Sequence, residues 1–129
     1  SRMFNVLLFL LFAIPVNAER VTTIIKNCYD GDTCTTTSGE KIRLACIDTP
    51  ELKGKKADPT RAIEARDYLN ELVAGKEVVL HRITKDRYQR TVAELFINGM
   101  NIQEHLVEEE FAKVYKRYAR QCDWTDRDK

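Results

Sequence analysis

The sequence has almost no net charge: 21 basic residues stand against 20 acidic ones, a formal balance of +1. A protein that coats nucleic acid electrostatically would be strongly basic. That class is excluded, and a site built from a few local cations is not. No apolar run is long enough to cross a bilayer. The longest, Val6 to Ile14, has nine residues where a spanning helix needs about 20. No two cysteines have the C-x₂₋₄-C spacing of a structural zinc site. Neither histidine, His81 or His105, has a nucleophile beside it, which argues against nucleophilic catalysis. Internal repeats and low-complexity segments are also missing.

What is present begins with an export pattern. Arg2 precedes the apolar run, and Val16-Asn17-Ala18 supplies small residues for cleavage. This is the organisation of a secretory signal peptide over residues 1–18. Removing 18 of the 129 residues leaves 111, and Arg2 is the only charge lost, so 20 basic residues then balance 20 acidic ones. Residues 19–129 are expected to form a single domain. It would be periplasmic or extracellular, with no stable membrane anchor after cleavage, and a monomer.

The four cysteines, Cys28, Cys34, Cys46 and Cys122, all lie in that domain. An even count behind an export signal points to two disulfides, and three pairings exist. Cys28 and Cys34 flank an acidic turn on what read as paired strands. Joining them would leave Cys46 to tie Cys122, and with it the C-terminal tail, to the third strand.

Residues 20–29 are rich in β-branched side chains and run into Asp30-Gly31-Asp32, so they read as a strand entering a tight turn. Residues 33–37 continue as a second strand. Residues 41–47 alternate, with Ile42, Leu44 and Cys46 on one face and Arg43 on the other. Asp58-Pro59 marks a helix start, with Asp58 as N-cap. This helix runs to about residue 74 on a stripe of Ala62, Ala65, Leu69, Leu72 and Val73. Residues 77–83 and 91–97 read as further strands, separated by a polar turn. Asn101 to Glu104 forms a capping box for a second helix ending near residue 110. The tail has no clear pattern beyond Cys122 and Trp124. The order predicts an α+β fold: a five-stranded OB-type β-barrel, one helix between strands three and four, and a second helix after strand five.

Carboxylates collect at two strand ends, in Asp30-Gly31-Asp32-Thr33 and Asp48-Thr49-Pro50-Glu51, with Arg43 five residues before the second group. Oxygen donors suit a hard cation, and a guanidinium matches phosphate oxygens two at a time. Asp30 reads as a turn former that hydrogen-bonds its own backbone. Lys53, Lys55 and Lys56 read as a solvated loop, and Trp124 as packing for the tail.

Taken with Asp86-Arg87-Tyr88-Gln89-Arg90 and Ala112-Lys113-Val114-Tyr115, these motifs resemble the staphylococcal nuclease (thermonuclease) family over nearly all of residues 20–118. The resemblance implies an OB-fold endonuclease that uses Ca²⁺ to hydrolyse DNA and RNA with low sequence specificity, leaving 3′-phosphate ends. It implies Asp32, Asp48 and the backbone carbonyl of Thr49 as metal ligands. Glu51 would be the general base, Arg43 and Arg90 the phosphate-gripping catalytic residues, and Arg87, Tyr88 and Tyr118 contacts to the nucleotide. The chain departs from the staphylococcal pattern in a shorter loop after Glu51, in Lys116 where a pocket tyrosine would stand, and in an early C-terminus. A Cys46–Cys122 bridge would replace the missing C-terminal helix as an anchor. The rival reading is a non-catalytic OB module that binds nucleic acid or protein. The retained charged set disfavours it, because degenerate relatives of this fold lose those residues.

Overall fold

A computed structural model describes residues 20–128. The expected export signal lies outside them. The order is β1 (Arg20–Asp30), β2 (Thr33–Thr36), β3 (Lys41–Leu44), β4 (Ile47–Asp48), α1 (Pro59–Val73), β5 (Glu77–Lys85), β6 (Thr91–Ile97), β7 (Met100–Asn101), α2 (Ile102–Glu108) and β8 (Lys113–Val114). Two 3₁₀ helices follow, Lys116–Gln121 and Asp123–Asp128. Strands pair in the order β3-β2-β1-β5-β6, and a parallel β3–β6 ladder, with Arg43 opposite Val92, closes them into a five-stranded barrel. The expected α+β OB-type barrel with two helices is the fold observed.

The barrel interior takes Ile25, Ile42, Leu44, Leu80 and Leu95 from the strands, Leu69 and Val73 from α1, and Ile102 and Leu106 from α2. Asp58 caps α1, its carboxylate accepting from the Arg61 amide at 3.3 Å, and Pro59 sits in the first turn. The helix buries Ala62, Ala65, Leu69 and Val73. The alanines let it approach the acidic turn closely. A Cβ on Gly31 would lie 2.9 Å from the Ala65 Cβ and 3.0 Å from the Thr49 Cβ. Gly31 is therefore required by space at the point where α1, β4 and the turn meet.

The expected third strand over residues 41–47 is broken. β3 stops at Leu44, Ala45 and Cys46 turn, and the chain resumes as β4, which pairs with β8 rather than with the barrel. Cys46 adopts φ 69°, its carbonyl accepts from the Tyr115 amide at 2.8 Å, and its sulfur bonds Cys122. Alternation alone could not register this, because Cys46 is buried just as a continuing strand would have it. The fourth strand extends two residues beyond the expected 77–83, and α2 ends two residues short of 110.

Both disulfides join the expected partners. Cys28 faces Cys34 across β1–β2, and Cys46 reaches Cys122 over a separation of 76 residues. Trp124 packs against the core and donates its indole N–H to Glu94 at 2.9 Å. In α2, Gln103 is fully buried and bonds both the amide and the carbonyl of Leu95, pinning the helix to β6. Among the described residues no helix is long and apolar enough to cross a membrane.

Candidate active site

The acidic turn is built by its own side chains. Asp30 accepts from the Asp32 amide at 3.1 Å, the turn-forming bond expected of it. This turns Asp32 inward, where it is only 7 % exposed. The β2–β3 ladder sets Thr33 opposite Arg43, and the Asp32 carbonyl accepts from the Leu44 amide at 2.8 Å. That register brings Arg43 Nη1 to 3.3 Å from Asp32 Oδ2. Thr49 Oγ1 donates to the same carboxylate oxygen at 3.0 Å. Thus three residues from three segments meet at one buried carboxylate.

Burial dominates the titration of Asp32 and pushes its pKa up to about 7. Arg43 and the Thr49 hydroxyl pull it down, whereas Asp30 pushes it further up. A buried carboxylate that is reluctant to ionise gains most from a nearby cation. Asp32 and Thr49 meet here, whereas Asp48, the other carboxylate that the resemblance implies as a ligand, is exposed; carboxylate and carbonyl oxygens are the donors a hard divalent ion prefers. Among the described residues no three of His, Cys, Asp and Glu cluster tightly enough to cage an ion by themselves. A hard ion bound at Asp32 would have few protein ligands and would take its remaining ones from water and substrate.

Glu51 follows Asp48 on the loop leaving β4. The loop is closed on itself, the Glu51 carbonyl accepting from the Asp58 amide at 2.9 Å. Its carboxylate is exposed at the rim of a cavity of about 410 Å³ that is also lined by the exposed Asp48 and the buried Thr49. Arg43 instead lines a second cavity of about 520 Å³, together with Arg87, Tyr88, Arg90 and Tyr118. The ridge formed by β4 and β8 contributes to both: Ile47 lines the larger cavity and Asp48 the smaller. The structure therefore joins Asp32, Arg43 and Thr49 by direct contact. It gathers Arg43, Arg90 and the three nucleotide-contact candidates around one cavity, and sets Asp48 and Glu51 on the other side of the ridge.

Arg90 is held in place by Asp86, which had been given no role. Asp86 accepts from Arg90 Nε at 2.7 Å and from the amides of Tyr88 and Arg90 at 2.9 and 3.0 Å. Burial raises the Asp86 carboxyl, but these hydrogen bonds outweigh burial and keep it below its ordinary value. Because Asp86 occupies Nε, the two terminal nitrogens of Arg90 remain for another anion. The guanidiniums of Arg87 and Arg90 lie 4.9 and 5.4 Å from the centre of the exposed Tyr88 ring. The opposite wall comes from the tail. Lys116 is exposed and does not line the cavity, but Tyr115 does, its ring edge-on to Tyr118 with centroids 5.2 Å apart. A second tyrosine is thus supplied one position early. Arg117 lines the same wall. Only its place in a basic tail bounded by Cys122 hinted at this.

The family model described as staphylococcal nuclease homologue matches residues 41–128. The chain belongs to the staphylococcal nuclease family. The matched span takes in Arg43, Asp48, Glu51 and Arg90, with the ridge and both walls of the larger cavity. An uncharacterized endonuclease of Haemophilus influenzae is 37 % identical over 121 residues, covering 87 % of this chain and 64 % of that protein. An uncharacterized endonuclease of Escherichia coli O157:H7 is 33 % identical over 121 residues, covering 91 % of this chain and 76 % of that protein. A staphylococcal-like nuclease of Arabidopsis thaliana, CAN1, is 35 % identical over 86 residues, covering 64 % of this chain and 24 % of that protein. The chain thus spans about two thirds of the first of these nuclease relatives and about a quarter of the plant one.

Proposed function

We propose that this member of the nuclease family is an exported endonuclease that hydrolyses phosphodiester bonds of DNA and RNA with low sequence specificity and depends on Ca²⁺. The observation that carries this reading is the convergence of Arg43, Thr49 and the buried Asp32, with Arg90 across the same cavity as Arg43. Asp32, Asp48 and the Thr49 carbonyl would hold the ion, which when bound neutralises charge on a phosphate oxygen.

The chain's own residues do the rest. Arg43 has one terminal nitrogen committed to the Leu44 carbonyl and Asp32, so its other N–H groups are left for a phosphate oxygen. Arg90, oriented by Asp86, presents its terminal nitrogens to the same cavity. The two fixed guanidiniums are in place before charge develops on the phosphorus oxygens, which is where preorganised donors lower a barrier most. Glu51 is exposed and able to contact a water. It takes one proton from that water as the hydroxide oxygen bonds phosphorus. The bond to the 5′-oxygen breaks, that oxygen takes a proton from solvent water, and the upstream nucleoside keeps a 3′-phosphate. Arg87, Tyr88 and Tyr118 hold the adjoining nucleotide by stacking and charge. Residues 1–18 serve as the export signal, and the disulfides fit an oxidising compartment.

The test is cleavage of single-stranded DNA and of RNA by the purified chain and by Arg43→Ala and Glu51→Gln variants. Loss of the Arg43 donor is expected to lower turnover by about 10²–10³-fold, and loss of the Glu51 base by about 10²–10⁴-fold. Unchanged rates in both variants would reject the assignment.

A further inference from the structure

A phosphodiester carries a nucleoside on each side, and the cavity at Tyr88 lies on one side of the β4–β8 ridge. We infer that the cavity of about 410 Å³ on the other side of the β4–β8 ridge is a second nucleoside subsite, with Phe111 as its stacking platform and Arg61 and Lys113 as its phosphate contacts. The inference rests on the nuclease reading and extends it to the strand on the far side of the scissile bond.

Four observations support it. The volume falls within the range of about 300–1,000 Å³ typical of small-ligand sites. The cavity opens directly on Asp48, Thr49 and Glu51, so an occupant adjoins the reacting phosphate. Phe111 is half-buried and rigidly placed: its ring stacks on Tyr68 with centroids 4.2 Å apart, and the Tyr68 hydroxyl is fixed by His105 at 2.7 Å. A ring held this way offers an apolar contact to a base at little entropic cost. Finally, Lys56, Arg61 and Lys113 line the cavity beside Asp58 and Glu110, yet none of these five is in an ion pair among the described residues. Lys113 stands directly opposite Asp48 in the β4–β8 register, which puts a cation where the strand leaves the centre.

The experiment uses the full chain and three substrates: a dinucleotide that carries a terminal phosphate on each nucleoside, and the two methyl esters in which one or the other nucleoside, with its terminal phosphate, is replaced by methyl. Each ratio of kcat/KM, dinucleotide over ester, measures what one nucleoside contributes, and it does not depend on the fraction of folded enzyme. Phe111→Leu and the double variant Arg61→Gln/Lys113→Gln are expected to lower the dinucleotide's advantage over one ester about tenfold, the same ester in both cases, as loss of a base-stacking contact does. Tyr88→Leu is expected to lower the advantage over the other ester. The inference is overturned if the Phe111 and Tyr88 variants act on the same ester, or if the Phe111 and Arg61/Lys113 variants leave both ratios unchanged. Cleavage of no substrate by the unsubstituted chain would overturn the nuclease reading itself.

Discussion

Replacing Cys46 and Cys122 together by alanine removes a bridge that closes 76 positions of chain. In the chain-entropy picture, opening a loop of that length stabilises the denatured state by about 4.5 kcal/mol at 25 °C. Removing Cys28–Cys34, which closes six positions, is worth about 2.2 kcal/mol on the same scale. For a domain of about 110 residues these figures correspond to falls in Tm of roughly 20 °C and roughly 10 °C. All four cysteines are buried, so lost packing adds to both figures and the difference between them rests on loop length. The structure adds a functional consequence. Tyr118 and Arg117 belong to the tail that the bridge anchors, and the Cys46 sulfur lies 3.4 Å from the Tyr118 carbonyl. KM for nucleic acid is therefore expected to rise in the Cys46→Ala/Cys122→Ala variant at temperatures where it is still folded, with kcat less affected. Calorimetric or circular-dichroism melts of the two double variants, followed by kinetics, make the comparison. If the Cys28→Ala/Cys34→Ala variant lost as much stability, or if the Cys46→Ala/Cys122→Ala variant lost less than about 5 °C, the reasoning from loop length and burial would be refuted.

Three further outcomes follow from particular contacts. Gly31→Ala places a methyl 2.9 Å from Ala65 and 3.0 Å from Thr49, an overpacking expected to cost about 1–3 kcal/mol in urea denaturation. It should also lower activity, because Thr49, which bonds the Asp32 carboxylate, is one of the two neighbours crowded. Asp32 has a folded pKa raised to about 7 from 3.8, so its contribution favours the fold fully below about pH 4 and is lost as pH rises through 7. In the ion-free protein this is worth about 4 kcal/mol at most. Asp32→Asn should flatten that slope in stability measured from pH 4 to 8. Glu40 behaves oppositely. It accepts two bonds from Arg82 and one from Thr91, and the Arg82 bond holds its carboxyl below the ordinary value despite burial. Its support is present above about pH 4.5 and is lost on acidification, and Glu40→Gln should remove that acid sensitivity.

The barrel was legible because its signals are local. β-branched runs bounded by Asp-Gly-Asp and Ser-Gly, and an Asp-Pro helix start, each specify one element within a few residues. The meeting of Asp32, Arg43 and Thr49 was foreshadowed only through the family resemblance that their motifs carry. Other contacts made between distant segments were not. The break at Cys46 is imposed by a partner 76 positions away, and apolar alternation runs straight through it. Asp86 was visible in its motif, but its hold on Arg90 depends on the turn geometry, including Gln89 at φ 68°. Tyr115 and Arg117 became pocket residues only because the bridged tail folds back as a 3₁₀ helix beside β3 and β6. The pinning of α2 by Gln103 has no sequence signature, since a glutamine on a helix ordinarily reads as exposed.

The central claim is that Asp32, Asp48 and the Thr49 carbonyl hold a divalent ion beside the phosphate grip of Arg43 and Arg90. The most direct measurement is cleavage of single-stranded DNA and of RNA by the purified, oxidised chain in EDTA, in millimolar Ca²⁺ and in millimolar Mg²⁺, with Asp32→Asn run in parallel. The account predicts no cleavage in EDTA, cleavage of both nucleic acids in Ca²⁺, and loss of the Ca²⁺ response in the variant. Cleavage at full rate in EDTA, or an Asp32→Asn variant as active as the unsubstituted chain in Ca²⁺, would contradict it.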